Sequence, residues 1–150
     1  MTVEVRNRQS RKPSGLRVNS PRLETLARRT LELVGADADY DLSIVLVSDE
    51  QIAELNARFH HVQGATDILS FDYGEERGEL IISLDRVLTQ SRRYHTTLVG
   101  ELALYVIHGI LHLHDHDDRT AGQLRRMRSA ERRLMSRLAR EGFTQGIIVQ

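Results

Sequence analysis

The 150-residue sequence contains no cysteine, which excludes disulfide bonds, thiolate metal sites and cysteine nucleophiles. Residues 1–20 are polar and rich in arginine, and they lack the apolar core that a secretory signal requires. The longest apolar segment, residues 98–113, is interrupted by Glu101 and is too short for a membrane span. These absences predict a soluble, cytoplasmic protein with no membrane partner.

The sequence also has no net charge, because 21 basic side chains balance 21 acidic ones. The charges are nevertheless unevenly distributed along it. Residues 1–30 carry eight basic and two acidic side chains, and residues 31–85 carry two basic and thirteen acidic ones. Residues 119–140 hold eight arginines and a single acid, Glu131. Two basic segments around an acidic middle fit a phosphate-binding surface, although a solvated helix face gives the same pattern.

Length and a hydrophobic content of 40% suit one compact domain over residues 1–150. Alternating and fully apolar runs predict strands at 2–5, 40–47, 67–73 and 79–83. Helical periodicity and capping residues, among them Ser20 and Ser48, predict helices at 20–33, 48–59, 83–94, 98–113 and 120–140. The prediction is an α+β fold in which a small mixed sheet of about four strands packs with about five helices.

His108 and His112 lie four residues apart inside the apolar segment. On a helix this spacing places both imidazoles on one face, about one turn apart, where they can share a metal ion. A lone histidine on an apolar face is usually a core residue, but two buried imidazoles need partners for their ring nitrogens. Residues 114–118 then supply five ligand-capable side chains in a row. A third ligand from this turn would leave an open position for water, as catalytic metal sites do.

The zinc-protease helix H-E-x-x-H places its general base directly after the first histidine. Here that position is Gly109, which carries no proton-transfer group, and Glu101 lies about two turns away. Peptide hydrolysis of the usual kind is therefore disfavoured. We expect Gly109 instead to let another backbone pack close to the helix.

Four motifs in a fixed order resemble those of the YbeY endoribonucleases, the bacterial rRNA maturation factors. His108–Leu113 followed by Asp117-Asp118 resembles the signature H-G-x-L-H-L-x-G-[YH]-D-[HD]. Leu55-Asn56, the segment 66–71 (T-D-I-L-S-F) and the segment 78–83 (G-E-L-I-I-S) resemble three further motifs. The resemblance covers about residues 40–138.

The resemblance implies an α+β fold with one zinc ion per chain and zinc-dependent cleavage of single-stranded RNA. It also implies a role in 16S rRNA 3′-end maturation and ribosome quality control, with small-subunit rRNA and ribosome-associated proteins, and not DNA, as partners. The register of the signature makes Asp118 the third metal ligand beside His108 and His112. The family commonly has histidine there, and the usual glycine of the turn is Asp115, so His114 and His116 are rival ligands.

Two groups of side chains complete the predicted site. Many family members carry an arginine where this chain has His60, and we expect Arg58 to brace the phosphate oxygens instead. His60 is a candidate proton carrier because its reference pKa lies near physiological pH. Candidate RNA-binding residues in the last helix are Arg125, Arg126 and Arg128. The alternatives are a non-catalytic ribosome-assembly factor stapled by a metal and a metal-dependent peptide or amide hydrolase.

Overall fold

The computed structural model of the chain describes residues 1–9, 15–60 and 68–149, without the side chains of residues 59 and 60. The helices within these ranges are α1 (Ser20–Leu33), α2 (Asp49–His60), α3 (Leu84–Tyr94), α4 (Leu98–Leu113) and α5 (Ala121–Arg140). The strands are β1 (Thr2–Asn7), β2 (Arg17–Val18), β3 (Asp41–Val47), β4 (Ile68–Gly74), β5 (Arg77–Ser83) and β6 (Ile148–Val149).

The main sheet has the strand order β1-β3-β5-β4. The pairs β1–β3 and β3–β5 are parallel, whereas β4 returns antiparallel to β5 through a tight turn. Glu75 and Glu76 in this turn both have positive φ, at 52° and 59°. A two-residue hairpin turn with positive φ at both residues has a backbone twist that matches the twist of the two strands it joins. The strands β2 and β6 form a separate antiparallel pair.

Alternating side chains on the strands divide the protein into layers. Leu42, Ile44, Leu80 and Ile82 belong to the main core together with buried residues of α1, α4 and α5. Val47 and Ile81 belong to a smaller cluster with Ile52 of α2. The sheet is therefore covered by α2 on one face and by α1 and α4 on the other, with α5 packed against α4.

Helix α4 lies at the centre of the main core. Thr97 caps it by accepting a hydrogen bond from the backbone N–H of Gly100, and nine of its residues are buried. No described helix is by itself both long and apolar enough to cross a membrane; α3 and α4 reach that length and composition only as a pair bent by 119°.

The fold class predicted from the sequence is confirmed, and so are the bounds of α1 and α4. The predicted N-cap of α1 was wrong. The side chain of Asn19, not that of Ser20, accepts the hydrogen bond from the Arg22 N–H. The short β2–β6 pair was not predicted. Each strand has only two residues, and the two strands are far apart in the sequence, so no local sequence pattern predicts them.

At Gly109, α4 packs closely against side chains of the sheet. A Cβ atom built on it would lie 2.6 Å and 2.9 Å from the Leu80 methyl carbons and 2.8 Å from Ile68 Cδ1. The predicted close packing is therefore present, but side chains of β5 and β4 make it, and the expected second backbone does not.

Replacing Gly109 with alanine should destabilise the protein. Overpacking against the fully buried Leu80 costs about 1–3 kcal/mol, which exceeds the roughly 1 kcal/mol that alanine gains over glycine in a helix. We expect a net loss of about 1 kcal/mol, or a melting temperature lower by about 3 °C. Gly122→Ala is the control, since its nearest contact would be an arginine nitrogen at 3.7 Å. Equal melting temperatures for the two variants would contradict the packing argument.

Candidate metal centre

The two histidines of α4 face the same side of the helix, as their spacing requires. Their ring centroids lie 4.6 Å apart, and the ring planes are inclined at 73°. Each imidazole is partly exposed, with 25% of the His108 side chain and 29% of the His112 side chain accessible. The pair thus lies at the edge of the core and lines an adjoining pocket.

The turn after α4 brings a carboxylate to this pair. Asp118 Oδ2 lies 3.5 Å from His112 Nε2 and 4.0 Å from His108 Nε2. The chain reaches this position through Asp115, which adopts φ 68°. This is the left-handed region that glycine favours and that aspartate tolerates better than most residues. Asp115 therefore supports the turn conformation for which the signature uses glycine.

His108, His112 and Asp118 each offer one ligand atom, and these atoms all lie within 4.8 Å of one another. Zinc binds imidazole nitrogen and carboxylate oxygen at about 2.0–2.2 Å, so donors around a tetrahedral ion lie about 3.4 Å apart. The separations of 3.5 Å and 4.0 Å are close to this value. The residues present therefore fit a zinc ion in both donor chemistry and spacing.

The rival ligands lie differently. His114 donates from Nδ1 to the carbonyl oxygen of Ile110 at 2.8 Å, and its ring packs on Tyr40 with centroids 4.8 Å apart. Its Nε2 atom is buried without a hydrogen-bond partner in the described structure. His116 lines the same pocket as His112, and its Nδ1 lies 3.3 Å from the His114 carbonyl oxygen. Neither histidine belongs to the cluster of converging donors among the described residues.

Glu131 of α5 is a part of the site that sequence reasoning missed. Its Oε2 atom lies 3.6 Å from His108 Nδ1, and only 10% of its side chain is exposed. This is a charge contact slightly longer than a hydrogen bond. A carboxylate on Nδ1 favours the tautomer that carries its proton there, which leaves Nε2 free to bind a metal. The sequence did hold a signal, since Glu131 is the single acid among the arginines of residues 119–140.

The three donors line an open pocket of about 930 Å³. Strand β4 forms one wall with Leu69, Ser70 and Asp72, and the turn after α4 forms the other. Arg119 and Gln123 stand at its edge, and Arg119, with 86% of its side chain exposed, contacts Asp117 at 3.3 Å. The pocket is large enough to admit a polymer segment beside the metal ligands.

The pocket has an acidic side. A second cavity of about 480 Å³ shares Asp72, Leu113 and Asp115 with it. Further acidic residues line this second cavity, namely Asp37, Glu75 and Glu76. Burial, together with the charges of Asp72 and Glu76, raises the pKa of the Tyr40 hydroxyl to about 12, so this group stays protonated.

Another side of the pocket carries an arginine. A cavity of about 200 Å³ shares His108 and Asp118 with the main pocket and also contacts Arg128. Of the three arginines predicted to bind RNA, the structure therefore places Arg128 beside the donor cluster. Arg125 lies on the same helix face one turn earlier, and Arg126 is rotated away from that face. Both are exposed.

The two candidates from α2 are not brought to the donor cluster by any described contact. Arg58 is exposed and lies 3.7 Å from Glu54 one turn earlier in the helix. His60 is the last residue of α2, but its side chain lies outside the described residues, as does the segment 61–67 that follows. Their proposed roles remain predictions.

A buried helix supplying two histidines and a turn supplying a carboxylate, beside an open pocket, form an arrangement typical of metal-dependent hydrolases. The family model described as Endoribonuclease YbeY matches residues 4–139. The Endoribonuclease YbeY of Geobacter metallireducens is 32% identical, over 95% of this chain and 99% of its own length. That of Solibacter usitatus is 37% identical, over 92% and 88% respectively. The chain belongs to the endoribonuclease YbeY family.

The fold comparison agrees with this assignment. A solution structure of a protein from Thermotoga maritima superimposes with a TM-score of 0.59 at 25% sequence identity. The match covers 95% of this chain and 96% of that one. The family resemblance that the sequence motifs indicated is confirmed.

Proposed function

We propose that this chain is a zinc-dependent endoribonuclease that cuts single-stranded RNA. Its proposed role is in maturing the 3′ end of 16S rRNA and in ribosome quality control in the cytoplasm. The observation that carries the proposal is the convergence of His108, His112 and Asp118 beside an open pocket, in a chain whose relatives are named endoribonucleases.

Each part of the site has a proposed task. His108, His112 and Asp118 hold the ion, and Glu131 orients the His108 ring. When bound, zinc supplies an activated water and offsets negative charge at a phosphate. Arg119 presents its exposed guanidinium at the edge of the pocket, where its planar donors match phosphate oxygens.

The described residues support this reading over the two alternatives. A structural metal is usually closed by four protein ligands, whereas three candidate ligands converge here. A peptidase of the H-E-x-x-H type needs a base after the first histidine, and Gly109 lies there against Leu80. Glu101 accepts a hydrogen bond from the Thr96 hydroxyl at 2.6 Å near the other end of α4, far from the donors.

The purified protein should retain about one zinc ion per chain and should cut a labelled single-stranded RNA. Removal of zinc by a chelator should reduce cleavage to the background rate, and restoring zinc should recover it. Casein should stay intact throughout. Elemental analysis and gel electrophoresis measure these outcomes.

Two results would contradict the proposal. Zinc-loaded protein that leaves RNA intact but binds small ribosomal subunits would point to the metal-stapled assembly factor. Cleavage of casein without cleavage of RNA would point to the peptide hydrolase.

A further inference from the structure

A groove runs along the junction of α4 and α5 away from the metal site. It consists of the cavity of about 200 Å³ that contains His108 and a further cavity of about 430 Å³ beyond it. The two share Leu104, Arg128 and Glu131, so they are continuous. We call them together the α4–α5 groove.

The outer part of this groove combines an apolar floor with a basic rim. Leu104 and Met135 are partly buried and line the floor. Arg128 and Arg132 are exposed and lie four residues apart on one face of α5, so both guanidinium groups border the groove. Glu131 also contributes to the lining, but its carboxylate is largely buried and contacts His108. The accessible charge of this outer part of the groove is therefore positive.

We propose that the α4–α5 groove binds the nucleotides next to the scissile phosphate, a proposal that rests on the proposed function. Leu104 and Met135 contact a base, while Arg128 and Arg132 contact the flanking phosphates. Proteins that bind single strands without sequence preference combine a positive groove with aromatic side chains on which bases stack. In this groove the aliphatic side chains of Leu104 and Met135 provide the apolar surface instead. Contacts of this apolar kind accept every base, so the groove gives affinity for single strands with little sequence preference.

The opposite exit from the metal pocket is unsuitable for a polyanion. It leads to the cavity lined by Asp37, Asp72, Glu75, Glu76 and Asp115. A phosphate backbone would be repelled along that path and attracted along the basic one. The charge distribution thus selects one direction in which an RNA strand leaves the metal site.

The test measures binding of a fluorescein-labelled single-stranded RNA to the zinc-loaded protein at several salt concentrations, with the RNA checked afterwards for integrity. The variant carrying Arg128→Gln and Arg132→Gln should bind the RNA more weakly. The slope of its log binding constant against log salt concentration should also be shallower by about 1.4, because each phosphate contact with a single strand contributes about 0.7 to that slope. Arg133→Gln is the control. It removes one positive charge from the same helix, where the double variant removes two, and its side chain is exposed about 140° round the helix from Arg128, outside the groove.

A second measurement tests the base contact. An abasic nucleotide placed in turn at each position of the RNA should weaken binding about tenfold at one or two positions. In the Met135→Ala variant, the abasic and the intact RNA should bind equally well at those positions, because the side chain that contacts the base is absent. If the wild-type protein binds the RNA equally well wherever the abasic nucleotide is placed, the proposed base contact is overturned.

The outcomes separate this proposal from the proposed function. If the wild type cuts RNA and the double variant binds RNA like Arg133→Gln, the groove proposal fails and the proposed function stands. If the wild type cuts no RNA but the double variant binds RNA more weakly than Arg133→Gln does, the proposed function fails; the groove then binds single-stranded RNA, but its place beside a scissile phosphate is overturned. If the double variant binds RNA normally but no longer binds small ribosomal subunits, the groove holds a protein and the proposal is overturned.

Discussion

Replacing His112 with alanine should abolish cleavage of single-stranded RNA while leaving most of the RNA affinity intact. His112 Nε2 lies 3.5 Å from Asp118 Oδ2, so the substitution removes one of three converging donors. Loss of the several kcal/mol that a metal contributes to such a reaction corresponds to a rate lower by on the order of 10³-fold. The arginines of α5 are unchanged, and equilibrium binding should therefore stay within a few-fold of the wild-type value.

His116→Ala is the matched control because it removes a second histidine from the same pocket. It should keep its zinc and its cleavage rate, since His116 is not one of the converging donors. Elemental analysis of both variants, together with Asp118→Ala, tests the ligand set directly. Zinc lost from His116→Ala but retained by Asp118→Ala would show that Asp118 is the wrong ligand.

Replacing Glu131 with glutamine should weaken zinc retention about 10- to 100-fold, which is the usual effect of removing a carboxylate behind a metal-binding histidine. The carboxylate lies 3.6 Å from His108 Nδ1 and is almost fully buried, so it favours the tautomer protonated at Nδ1 and restricts the ring orientation. Glutamine keeps the shape of the side chain but not its charge. The measurement is the rate at which a chelator removes zinc from the folded protein.

Glu101→Gln provides the control for this experiment. Glu101 is equally buried, at 8% exposure, but its carboxylate accepts a hydrogen bond from Thr96 rather than contacting a histidine. Both variants should lower the melting temperature, whereas only Glu131→Gln should lose zinc faster. If the two variants release zinc at the same rate, Glu131 has a structural role alone.

Local patterns predicted most of the fold. The run 98–113 has an apolar composition and a capping threonine before it, and both of its ends were found correctly. The i,i+4 spacing placed His108 and His112 on one helix face because helical geometry leaves no alternative. Where two capping residues stand side by side, as Asn19 and Ser20 do, the sequence does not decide between them.

The remaining parts of the site depend on tertiary structure. Asp118 approaches the histidines only because Asp115 takes a left-handed conformation, which residue spacing alone does not specify. Glu131 reaches His108 because α5 packs against α4, and Leu104 and Arg128 line one cavity for the same reason. Such contacts between helices join residues that are far apart in the sequence, so a scan for local motifs does not detect them.

The charge of this neutral molecule is unevenly distributed, because arginines are concentrated on α5 and acidic residues, among them Glu75 and Glu76, around the β4–β5 turn. Such a distribution gives the molecule an electric dipole. Because its net charge is zero, the chain as a whole is not attracted to the negative charge of RNA at distances beyond the Debye length of about 8 Å. Within that distance we expect the dipole to turn the protein so that α5 meets an RNA strand first. The charge distribution is thus expected to orient the protein at short range rather than to attract it from a distance.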